Sequence, residues 1–153
     1  MKRIILVVLL LAFFAANYGV AEEEGYFILC RPESVVNLRN KPSKSAMVVG
    51  WLTFGDYVKT DGKTKNGFVH VIDIPAEDPE GWVYAGFLVW DKPRAETYKA
   101  QVYGGRVVAR SCVDGKRLCV LREGCTVTVY ARCNRWAVTN KGFVMCDWLI
   151  EVD

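Results

Sequence analysis

Ser34-Val35-Val36-Asn37-Leu38-Arg39-Asn40-Lys41-Pro42-Ser43 sets an aliphatic face, Val36 and Leu38, against a polar one, Asn37 and Arg39, and then stops at a Pro-containing loop. Alternation with period two marks a strand that has one wet side. Outward from this stretch the same texture fills the chain beyond Glu22. Short runs of β-branched and aromatic residues are broken by Gly, Asp-Gly or Asn-Gly about every eight to twelve positions, and no helical period persists over about ten residues. The expected class is all-β. Strands are expected at Tyr26–Cys30, Val35–Arg39, Met47–Leu52, Tyr57–Thr60, Phe68–Ile74 and Gly81–Tyr84, then at Val107–Arg110, Leu118–Leu121, Thr126–Ala131, Trp136–Thr139 and Gly142–Met145.

The two halves run in the same order, which is the mark of an internal repeat. Val36-Asn37-Leu38-Arg39 aligns with Val107-Val108-Ala109-Arg110, and Leu52-Thr53-Phe54-Gly55 with Leu121-Arg122-Glu123-Gly124. Asn66-Gly67-Phe68 aligns with Asn134-Arg135-Trp136, Gly81-Trp82-Val83 with Gly142-Phe143-Val144, and Phe87-Leu88 with Trp148-Leu149. Alternation places Val58 and Thr60, and in the second half Val127 and Val129, on an inner face. Tyr57, Thr126, Thr128 and Tyr130 take the outer one. Such one-sided stripes suit two small barrels whose interiors are filled by side chains.

This ordered set resembles the bacterial SH3-like domain. Asn37-Leu38-Arg39, Lys41-Pro42-Ser43, Gly55, Gly81-Trp82-Val83 and Phe87-Leu88 carry the resemblance over residues 34–89. The second half departs from it: no Pro follows Arg110, the loop shrinks to a turn at Asp114-Gly115, and Phe143 stands where Trp is usual. The expected organisation is a first SH3-like unit at 22–91, a linker at 92–98 around Lys92-Pro93-Arg94, and a divergent Cys-rich unit at 99–153.

Residues 1–21 read as a secretory signal peptide: a basic Lys2-Arg3 head, an apolar run from Ile4 to Ala16, and small residues at Gly19 and Ala21. The rival, an uncleaved anchor, is opposed by Asn17, Gly19 and the acidic residues that follow. The expected protein is exported, to the cell envelope or the extracellular space, and has no membrane association after cleavage. The leader removes Lys2 and Arg3 and no acid, so the net charge falls from +3 to +1. Cations are interspersed with acids, and the footprint expected of a nucleic-acid binder is missing.

All six cysteines, Cys30, Cys112, Cys119, Cys125, Cys133 and Cys146, follow the leader. In an exported chain they read as a disulfide framework. Zinc is the rival, but there is no Cys-x-x-Cys spacing and His70 is the single histidine. No metal or other cofactor is expected. Five cysteines fall in the second unit, whose 55 residues suffice to bury only roughly 60% of the unfolded surface. A Cys112–Cys119 bridge would contribute about 2.5 kcal/mol in the chain-entropy model. Cys125 and Cys133, about 26 Å apart along a strand, cannot meet. Cys30 either bridges to the second unit or two thiols stay free.

Enzymatic routes find little support. A cysteine peptidase needs a thiolate–imidazole pair, and His70 sits between Val69 and Val71 in a strand pattern that suits a solvent-facing position. A glycosidase needs two carboxylates about a cleft, whereas Glu77, Asp78 and Glu80 crowd a polar loop. No Gly-x-Ser-x-Gly, His-Glu-x-x-His or phosphate loop is present. The expectation is a non-catalytic binding module. Tyr57, Phe68, Trp82 and Tyr84 are sent outward, with Trp51 and Trp90 nearby, and flat rings suit extended peptides or sugars. The resemblance implies cell-wall (peptidoglycan) peptides as the ligand; the alternative partner is another secreted protein, gripped or inhibited by the tandem units. Each aromatic could instead pack under a loop or on the neighbouring unit, and Asn37 and Arg39 could meet a ligand or satisfy loop carbonyls. In the second unit Trp136, Phe143 and Met145 take the corresponding face. The first unit is expected to bind and the second to act as a stapled partner.

Overall fold

The computed structural model describes residues 23–74 and 80–153. The expected signal peptide lies outside the described residues, as do Glu77 and Asp78. Among the described residues the fold is all-β, with two seven-stranded sheets and short 3₁₀ turns at Ala85–Phe87 and Cys146–Trp148.

The first sheet comprises β1 (Glu24–Ile28), β2 (Val35–Arg39), β3 (Val48–Thr53), β4 (Tyr57–Lys65), β5 (Phe68–Asp73), β6 (Gly81–Tyr84) and β7 (Leu88–Val89) in the order β3-β2-β6-β5-β4-β1-β7. The second comprises β8 (Arg94–Val102), β9 (Arg106–Arg110), β10 (Arg117–Arg122), β11 (Thr126–Cys133), β12 (Trp136–Thr139), β13 (Gly142–Met145) and β14 (Leu149–Val152) in the order β10-β9-β13-β12-β11-β8-β14. Each strand of one sheet has its counterpart at the same place in the other. The turns correspond too: Gly55 and Gly124 both sit at φ 81°, a left-handed conformation that glycine adopts without a Cβ clash.

Each sheet encloses its own apolar cluster. Ile28, Val36, Leu38, Leu52, Val58, Val71 and Val83 fill the first; Ala100, Val102, Val107, Ala109, Leu121, Val127, Val129 and Val144 fill the second. Val58, Thr60, Val127 and Val129 are inside, as alternation requires.

A third cluster lies between the units. Leu29 of the first is buried with Ala131, Cys133, Val138 and Phe143 of the second, flanked by Phe87, Val113 and Trp136. Phe87 and Phe143 meet edge to face with centroids 6.3 Å apart, a favoured aromatic geometry. The Val113 amide donates to the Gly86 carbonyl at 3.0 Å, the Asn134 amide to the Asp91 carboxylate at 2.6 Å, and the Arg31 guanidinium lies 4.3 Å from the Tyr130 ring centroid. The outer face of β12 and β13 is therefore spent on docking, and Trp136 and Phe143 are interface residues.

Two expectations need correction. Residues 94–98 are not linker: they open β8, which pairs with both β11 and β14. The exposed charges of Arg94 and Lys99 disguise a strand whose other side buries Ala100 and Val102. The disulfide framework is not formed; all six cysteines are free thiols. Cys119 lies opposite Ala109 in the β9–β10 ladder, whereas Cys112 lies past the end of β9 in the turn. Cys112 turns instead toward Gly86 and Gly115, and Cys119 packs against the second core.

Candidate functional site

A groove of about 300 Å³ runs along the first unit where the second unit meets it. Its floor follows from the pleat of β2, β5 and β6: Val36, Phe68, Tyr84 and Phe87. One rim carries Asn37, Arg39 and Lys44, and the other the Ser111–Cys112 end of the β9–β10 hairpin. The register pairs Arg39 with Trp82 and Phe68 with Tyr84, so two residues along β2 Asn37 comes level with Tyr84.

Electrostatically the groove is one-sided. Its lining holds two cations and no carboxylate. Arg39 donates through Nη1 to the Ala46 carbonyl at 2.6 Å, which clamps the loop 40–46. That loop carries Lys44, whose ammonium stands 5.2 Å from the Tyr84 ring centroid. Lys44 forms no ion pair among the described residues. Across the groove, burial pushes the Cys112 thiol up, against a hydrogen bond with Ser111 and the field of Lys44. Cys112 is thus a neutral wall, poorly disposed to act as a nucleophile.

The expected site residues divide. Asn37, Arg39, Phe68 and Tyr84 are brought together. Phe68 was expected to project outward but is only 4% exposed, because Tyr84 covers it edge-on at 5.4 Å; it is floor beneath the groove. Trp82 turns to His70, with ring centroids 4.9 Å apart. Tyr57 is 48% exposed but sits on the β1–β4 pair against Phe27, away from the groove. Sequence reasoning missed Lys44, Phe87 and Ser111. The available signal was the loop Lys41–Ser45, which holds two lysines and no acid.

His70 is largely covered and faces Asp61, Nδ1 to Oδ2 3.0 Å. Burial pulls the Asp61 carboxyl upward, but hydrogen bonds from Lys63 and His70 outweigh it and hold the group down to about 2. Burial, with Asp56 nearby, pushes the Cys30 thiol up to about 11.

No curated protein matches the sequence. Among solved structures, NlpC1 from Trichomonas vaginalis is similar at 20% identity over 88% of this chain and 48% of its own, with a TM-score of 0.36. NlpC2 from the same organism is similar at 18% identity over 85% of this chain and 48% of its own, also with a TM-score of 0.36. The chain spans about half the length of these structures. Residues 34–89, β2 to β7, match the family model of the bacterial SH3 domain, the same span on which the sequence resemblance rests.

Proposed function

We propose that the protein is an exported, non-catalytic binding module that holds cell-wall peptides in the groove between β2, β6 and the β9–β10 hairpin. The supporting observation is the groove itself: an aromatic and aliphatic floor beside a rim of polar donors, next to a match to a family whose members commonly bind peptidoglycan. Aromatic floors give apolar contact at little entropic cost, and the few polar groups fix orientation. Chemistry is not part of this reading, because His70 is committed to Asp61 and the Cys112 thiol in the groove is held neutral.

Sedimentation with purified, insoluble peptidoglycan tests it. The protein is expected to pellet with the wall material, and Tyr84→Ala, which removes the floor, to stay in the supernatant. Wild-type protein that remains soluble, or a Y84A variant that pellets equally well, would refute the assignment.

A second reading, an interaction or inhibitor module for another secreted protein, draws on a different surface. Strand β3 is a sheet edge, and Trp51 in it and Met47 just before it are 62% and 65% exposed. An open edge with apolar side chains is a template for a partner strand. Trp51→Glu is expected to abolish such an association.

A further inference from the structure

We infer that the groove is a two-unit site selective for a peptide ending in a free carboxylate, received by Lys44 from the first unit and enclosed by Ser111 from the second. This deepens the peptide-binding reading and rests on it.

The charge inventory points to the ligand. Lys44 can only donate, and the Arg39 guanidinium keeps donors beyond the one given to the Ala46 carbonyl. No acid among the lining residues consumes them. A groove with surplus donors and no acceptor charge is matched by an acceptor-rich anion. The Phe68–Tyr84–Phe87 floor asks that the anion be attached to an apolar or backbone segment. A peptide carboxyl terminus meets both demands. Two cations, one already tied to a carbonyl, suit one negative charge better than the double charge of a phosphate group.

The second unit's share is fixed by how it docks. Gly86 is the contact point: a Cβ built there would lie 2.3 Å from Cys112 Sγ and 3.0 Å from the Val113 carbonyl oxygen. Only the absent side chain allows the β9–β10 turn to reach the groove, where the Val113–Gly86 hydrogen bond holds it. Ser111 is thereby exposed at the rim. The sequence-based division into a binder and a stapled partner gives way to a shared site, in which the second unit shapes what the first can accept.

Isothermal titration with two probes tests this: acetyl-Lys-D-Ala-D-Ala with a free carboxyl terminus, and the same peptide as its amide. The acid is expected to bind at least about tenfold more tightly, a difference of roughly 1.4 kcal/mol. Lys44→Met is expected to erase that difference. Ser111→Trp, at an exposed turn position that should fold normally, is expected to block both peptides. Equal binding of acid and amide overturns the carboxylate selectivity while leaving the peptide reading standing. Unchanged affinity in S111W overturns the two-unit site. Displacement of the acid by inorganic phosphate at comparable concentration overturns the choice of a carboxylate. If neither peptide binds although peptidoglycan still pellets the protein, the inference fails alone; if pelleting fails as well, the proposed function fails with it.

Discussion

Replacing Thr60 by valine is expected to stabilise the protein. Thr60 is fully buried in β4, opposite Glu24 and Val71, and its Oγ1 has no hydrogen-bond partner among the described residues. A buried, unpaired hydroxyl costs about 1–3 kcal/mol. Valine keeps the branched shape, so the backbone need not move and the penalty is removed with little new strain. The second unit supplies the control, because the matching position is Val129, equally buried. A gain of about 1–2 kcal/mol is expected, seen as a rise of about 3–7 °C in thermal midpoint for a chain of this size. Guanidinium unfolding followed by circular dichroism and tryptophan fluorescence should show a higher midpoint at unchanged slope. The reciprocal Val129→Thr should lose a similar amount. A T60V protein that is neutral or less stable would refute the reasoning, since the hydroxyl would then have a partner.

Gly86→Val is expected to separate the units by overpacking, at about 1–3 kcal/mol, with hydrogen exchange at the Val113 amide accelerated and exchange at Val58 and Val127 unchanged; an undisturbed Val113 amide would contradict the docking. The Asp61 carboxyl lies below its ordinary 3.8 in the folded state, so its stabilising contribution is complete above that value and is lost as pH falls toward about 2. Asp61→Asn should remove that part of the acid slope, measured as the denaturation midpoint at about pH 5 against about pH 2.5; an unaltered slope would count against the Asp61–Lys63–His70 cluster. Iodoacetamide at about pH 8 should modify Cys119, Cys125 and Cys146 before the buried Cys30, Cys112 and Cys133, as read by mass spectrometry, and early loss of Cys30 would refute its assigned burial.

Much of the first unit is legible because its strands alternate cleanly. Val36 and Leu38 face the core while Asn37 and Arg39 face outward, and Gly81-Trp82-Val83-Tyr84 behaves the same way. β8 escapes because Arg94, Glu96 and Lys99 spread charge over a strand that buries only Ala100 and Val102 near its end, while its two edges pair with β11 and β14. β7 has two residues, too few to alternate. The docking of the units is illegible for a deeper reason. An outward Val138 or Phe143 announces that a face needs cover, but a ligand and a neighbouring domain satisfy that need equally. The cysteines mislead likewise, since their even count carries no geometry and the β9–β10 register sets Ala109, not a cysteine, opposite Cys119. Lys44 has no pattern of its own; it becomes a site residue only because Arg39 fastens its loop beside Tyr84.

The Phe87–Phe143 contact bears on stoichiometry. A duplicated chain would ordinarily gain avidity by engaging two neighbouring ligands at once. Here Phe143 on the second copy's outer face is buried against the first unit, so the two copies do not present identical outer faces. If the proposed groove holds the peptide, a titration is expected to give one peptide per molecule, because the repeat does not supply a second groove of the same make.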